Sequence, residues 1–101
     1  MGHPLDVVSG AAPTQIDVDT ASKTVVSENY NRYGIVLTNL STGTMYLAFG
    51  ANTAVVGSGV VLLPHGGNWS MDEFNFTKEA VQAIAHANNS LLAIQEFTVS
   101  S

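Results

Sequence analysis

Short runs of alternating polar and apolar residues, each closed by turn-forming residues, recur along this chain and restrict its fold more than any other feature. Period-two alternation puts every second side chain on one face of a strand, whereas a helix needs apolar residues three and four apart. The strongest run is Tyr33-Gly34-Ile35-Val36-Leu37-Thr38-Asn39, which predicts Tyr33, Ile35 and Leu37 on one face and Val36 and Thr38 on the other. Ser41-Thr42-Gly43 follows, then Thr44 to Phe49, where Met45, Leu47 and Phe49 share a face. Two such runs joined by a short glycine-containing turn predict an antiparallel hairpin. Leu37 and Leu47 are the expected core residues of that hairpin.

Weaker runs of the same kind flank it. Gln15 to Asp19 alternates as a half-buried strand does, and Thr24-Val25-Val26-Ser27 is β-branched and short. Val60-Val61-Leu62-Leu63 lies between Gly57-Ser58-Gly59 and Pro64-His65-Gly66-Gly67, which read as turns. Trp69 to Phe74 is expected as a strand with Trp69 and Met71 on one face, and Phe74 and Phe76 on the other. Residues 78–86 are rich in alanine and begin with Lys78-Glu79, which suits a helix. Yet Val81, Ala83 and Ala85 alternate with Gln82, Ile84 and His86 between turns, and a lone nine-residue helix gains little from propensity, so a strand is expected. In the last run, Leu92 and Ile94 oppose Ala93, Gln95, Phe97 and Val99.

Eight or nine short strands with no helix-length amphipathic run between them exclude a parallel βαβ architecture. The expected fold is all-β, an antiparallel β-sandwich of jelly-roll-like type. A chain of 101 residues is the size of one domain, with residues 1–27 expected as an N-terminal arm or edge strands and 28–101 as the sandwich core.

Composition bears on partners. Only 11% of residues are charged, against about 25% in an average domain, so the surface is filled by Ser, Thr, Asn and Gly. A net charge of −5 would keep an acidic monomer soluble, but so uncharged a surface points instead to burial against copies or partners. Lys23, Arg32 and Lys78 are the whole basic complement, too few to neutralise phosphates, so neither nucleic acid nor an anionic membrane is expected as a partner. No apolar run approaches the roughly 20 residues of a membrane-spanning helix, and Met1 to Asp6 lacks the charged and apolar regions of a signal peptide. With no cysteine, disulfides and thiolate chemistry are excluded.

Candidate chemistry is sparse. His3, His65 and His86 fall in three separate segments with no ligand spacing, so no metal site and no cofactor are expected. Asp72 and Glu73 are adjacent and would point to opposite faces of a strand, which excludes an acid–base pair. Asp17 and Asp19 share a face and read as a solvated or weakly cation-binding edge. No Gly-x-Ser-x-Gly elbow, Walker loop or dinucleotide fingerprint occurs, so no catalytic residue is assigned and no enzyme is expected. Aromatic residues are the better prospects. Trp69 reads first as a core residue, and Trp69, Tyr30 and Tyr46 are the candidate interface residues, because Trp and Tyr anchor protein interfaces.

One ordered set of residues goes further. Arg32 to Ser41, Met45 to Gly50, Gly59 to Gly67, Ala83 to Ala85 and Leu92 to Glu96 carry the pattern Arg…Asn-x-Ser, an aromatic-glycine strand end, Gly-x-x-Leu-x-Pro-x-Gly and a closing hydrophobic-x-Glu. In that order they resemble small virion proteins of tailed bacteriophages, over residues 32–97. The resemblance implies a non-enzymatic β-sandwich used as a capsid decoration or cement subunit. Its partner would be the major capsid protein, its state a homo-oligomer, a trimer first of all, and its place the capsid surface after synthesis in the host cytoplasm. The alternative it leaves open is a head-fibre or tail-associated binding module of adhesin or glycan-binding type. For that alternative, Tyr30 with Asn29 and Asn31 is the local candidate.

Overall fold

A computed structural model describes residues 7–71 and 77–100. Those residues form nine strands and no helix: β1 (Val7–Gly10), β2 (Thr14–Val18), β3 (Lys23–Val26), β4 (Arg32–Asn39), β5 (Met45–Phe49), β6 (Val60–Leu62), β7 (Asn68–Ser70), β8 (Val81–Ala85) and β9 (Ser90–Ser100). All pairings are antiparallel and make two sheets packed as a β-sandwich, in agreement with the strand pattern. The first sheet runs β1-β9-β4-β7, with β2 joining the same edge of β9 further along; the second runs β3-β8-β5-β6. Residues 81–85 are a strand and not a helix, flanked by β3 and β5, and bury Val81, Ala83 and Ala85 as alternation requires. His3, Asp72, Glu73, Phe74 and Phe76 lie outside the described residues.

The core is built from the inward rows of both sheets. Val18, Ile35, Leu37, Leu92 and Ile94 of the first meet Val26, Met45, Leu47, Leu62, Val81, Ala83 and Ala85 of the second. Leu37 and Leu47 are fully buried, as expected, but the expected hairpin between their strands does not form. β4 pairs with β7 and β9 while β5 pairs with β6 and β8, so the turn at Ser41-Thr42-Gly43 carries the chain from one sheet to the other, and the two leucines meet across the core. Burying an aliphatic side chain of this size is worth about 1.5–3 kcal/mol, so these rows are the main source of stability.

Tyr33 departs from expectation. Alternation places it beside Ile35 and Leu37, yet it is 61% exposed while Arg32 is buried. The register of β4 on β9 explains this: Arg32 faces Thr98 and Gly34 faces Phe97, so Tyr33 is the extra residue of a β-bulge. One inserted residue reverses the parity of everything before it, turning Arg32 inward and Tyr33 outward. A second irregularity, between Thr24 and Val26 of β3, lets consecutive Val25 and Val26 both be buried.

Residues 14–26 are part of this framework. β2 pairs along β9 from Thr14↔Ile94 to Val18↔Ser90, and β3 is an edge of the second sheet. Both carry core side chains, Val18 and Val26. Gly59 shows how the second sheet is closed: at φ +83 it enters β6, and a Cβ there would collide with the carbonyl oxygen of Leu47.

Candidate interaction surface

The polar residues of the resemblance pattern converge on the two ends of β4. At its start Arg32 is 1% exposed and spends its guanidinium on four acceptors. Nε donates to Glu96 Oε2 at 2.6 Å, Nη1 to the carbonyls of Thr77 at 3.1 Å and Glu79 at 2.7 Å, and Nη2 to that of Ser27 at 2.8 Å. A buried guanidinium requires this, because a desolvated charge without acceptors would be strongly unfavourable. The bulge at Tyr33 delivers Arg32 to the site, and Glu96 on β9 supplies the counter-charge.

At the other end Asn39 is completely buried. Its Nδ2 donates to the carbonyls of Gly43 at 2.8 Å and Leu62 at 3.0 Å, and its Oδ1 accepts from the Ser41 amide at 2.9 Å and hydroxyl at 2.7 Å. The Asn39 backbone bonds both Gly66 and Gly67, and the His65 amide donates to Ser41 O at 3.0 Å. Asn-x-Ser and Gly-x-x-Leu-x-Pro-x-Gly are therefore two halves of one junction between turns. His65 sits there at φ 60 as a turn residue.

The three aromatic candidates lie in different parts of the molecule. Trp69 is half-buried on the inward side of β7, facing Leu37, and packs against Phe49 of the other sheet with the rings tilted by 43° and their centroids 4.9 Å apart. Tyr46 is on the outer face of the second sheet, its hydroxyl 3.2 Å from His86 Nε2. Tyr30, 76% exposed, stands on the turn before β4. That turn is fixed by the Asn29 amide on Lys78 O, by Arg32 N on Asn29 O, by Asn31 N on the Asn29 side chain, and by Val99 N on Asn31 O.

The acidic candidates separate. Asp17 is exposed, while the Asp19 carboxylate accepts the Asn89 amide at 3.0 Å and so fixes the turn into β9. Among the described residues no three His, Asp or Glu side chains come together as a metal site would need. A shallow groove of about 640 Å³ lies on the outer face of the first sheet, over Val36, Thr38, Ala93 and Gln95, bounded by Pro13 to Gln15. Its lining is uncharged and has no convergent set of polar groups.

Two features were missed in reading the sequence. Arg32 and Glu96 are 64 residues apart, and nothing in the chain pairs them before it folds. The other was visible as text: between Arg32 and Asp72 there is no Asp, Glu, Lys or Arg. That stretch supplies the rest of β4 and all of β5, β6 and β7. Exposed Leu40, Val55, Val56, Val61 and Leu63 all belong to it. Comparison with protein-family models, with curated proteins and with solved structures finds no match to this chain.

Proposed function

We propose that this chain is a non-enzymatic structural subunit of a tailed-bacteriophage virion, a decoration or cement protein that binds the major capsid protein on the outside of the head. The reading includes a homo-oligomer, a trimer first of all. One observation carries it: the polar residues of the resemblance pattern, Arg32, Asn39, Ser41 and Glu96, are engaged in holding the backbone and one another. A pattern spent on building a small rigid sandwich suits a protein whose product is a surface. The surface itself is largely uncharged, as a subunit covered on a shell requires.

The test is to mix the purified protein with assembled phage heads lacking their decoration layer, then measure co-sedimentation and image the particles. The expected result is saturable binding at symmetry-related positions, changed little between low and high salt because few exposed charges take part. Heads that stay bare at saturating protein would overturn the reading.

A second reading, a fibre- or tail-associated module that binds glycans, has one observation in its favour. Tyr30 and Tyr33 are both exposed near the clamped turn, and rigid exposed aromatics beside amides suit sugar rings. Glycan binding abolished by Tyr30→Ala, with heads left bare, would select it.

A further inference from the structure

The outer side of the second sheet is where the charge-free stretch and the exposed apolar side chains coincide. Residues 50–59, between β5 and β6, are laid across that side. Gln82 points outward between buried Val81 and Ala83, and its Nε2 donates to Gly50 O at 3.0 Å. Further along the loop, the Ala54 amide donates to Ser22 Oγ at 2.9 Å, beside the first residue of β3. Ala54 is thereby buried although it lies outside the core between the sheets. Val55 and Val56 follow it on the loop and are 55% and 45% exposed. Next to the loop, Val61, Tyr46 and Ile84 stand in one row across β6, β5 and β8, because Tyr46 is paired with both neighbours. Leu63, 64% exposed, follows directly on β6, the edge strand of the sheet.

We propose that this face is the docking site for a second copy of the same chain. The occupant follows from charge. Whatever the symmetry, each copy meets another of net charge −5, so self-association is favoured on a surface whose centre carries no carboxylate. Loop 50–59, β5, β6 and β8 carry no charged residue at all, and the one charge on β3, Lys23, is held by the carbonyl of Asp17 at 2.7 Å. A partner of opposite charge would instead be drawn to Asp17 and Glu28, which lie on other segments; the Glu79 carboxylate reaches Gly50 at the start of the loop and marks one rim of the face, away from Val55 and Leu63 in sequence. A tyrosine among aliphatic residues, with Lys, Glu and Asp absent, is also the composition of an interface centre. The inference deepens the structural-subunit reading, relying on it only for where the assembly is used.

Sedimentation velocity on the intact chain tests it. Wild type should self-associate at high protein concentration, and added salt should leave the association unchanged or strengthen it, since salt screens repulsion between like net charges. Leu63→Glu and Val55→Glu, both at exposed positions, should each weaken association by roughly tenfold or more. Gln15→Glu, on the outer face of the other sheet, should leave it unchanged, with circular dichroism confirming that all three variants keep the β fold. A strictly monomeric wild type would overturn the inference, as would an oligomer indifferent to both Leu63→Glu and Val55→Glu. An oligomer that responds as expected but leaves phage heads bare would support this face and defeat the capsid reading.

Discussion

At the start of β4 a guanidinium gathers the carbonyls of Ser27, Thr77 and Glu79, and at its end a neutral amide gathers those of Gly43 and Leu62. The same strand thus ends in two buried polar hubs, separated by about 23 Å of extended chain. Their reach differs. Arg32 ties together segments distant in sequence, around residues 27, 77–79 and 96, whereas Asn39 ties turns within the stretch from Ser41 to Gly67. A cation can hold four acceptors at once but must bring a counter-ion with it when buried. The amide satisfies two donors and two acceptors with no charge. The Asn39 junction is therefore built without introducing a charge anywhere between Arg32 and Asp72, which leaves the β5–β6 side of the sandwich neutral.

If the charged hub is the long-range clasp, removing it should cost most. Arg32→Ala deletes a fully buried side chain, strands three carbonyls and leaves Glu96 without its partner. A loss of about 4 kcal/mol in unfolding free energy is expected, measured by urea denaturation. A loss under about 1 kcal/mol would mean that water replaces the guanidinium and that the segments around Ser27 and Thr77 are held by other contacts.

Asn39→Ala should come next, at about 2 kcal/mol, because two carbonyls and the Ser41 amide lose the partner that a fully buried side chain gives them. Its signature is local. Hydrogen exchange should accelerate at Ser41 and Gly43 and at the Gly66–Gly67 turn, while the amides near Thr77 keep their protection. Equal acceleration at both ends of β4 would dissolve the distinction between a local and a long-range hub.

The smallest effect is expected for Ser41→Ala, at about 1 kcal/mol. The hydroxyl is half-buried and shares its bonds between Asn39 Oδ1 and Gly43 O, and the Ser41 amide remains on Asn39. A cost equal to that of Asn39→Ala would make serine, not asparagine, the centre of the junction.

Alternation alone grouped Ile35 with Leu37, Met45 with Leu47, Val81 with Ala83 and Leu92 with Ile94 on shared faces, and all of these are buried. The hairpin expected of β4 and β5 was misjudged, because a short turn reads the same whether the chain folds back on its own sheet or crosses to the other. The inversion of Tyr33 was not legible, because a bulge is defined by the register against β9 and leaves no mark in the local text. The candidate surface was legible in part: the charge-free stretch can be read directly from residue order, whereas the covering of one sheet by loop 50–59 cannot.

Residue order by itself determined the strand content, the inward rows and the near absence of charge, because backbone pleating and side-chain polarity are local properties. Tertiary structure decided which polar residues were drawn inside and which apolar ones were left outside. Arg32 is buried because a bulge turned it toward Glu96 on β9, and Ala54 is buried because Ser22 and Gln82 hold its loop against the sheet. Period-two alternation states that side chains share a face; what covers that face comes from segments distant in sequence, and their arrival is set by packing and hydrogen bonding over the whole domain.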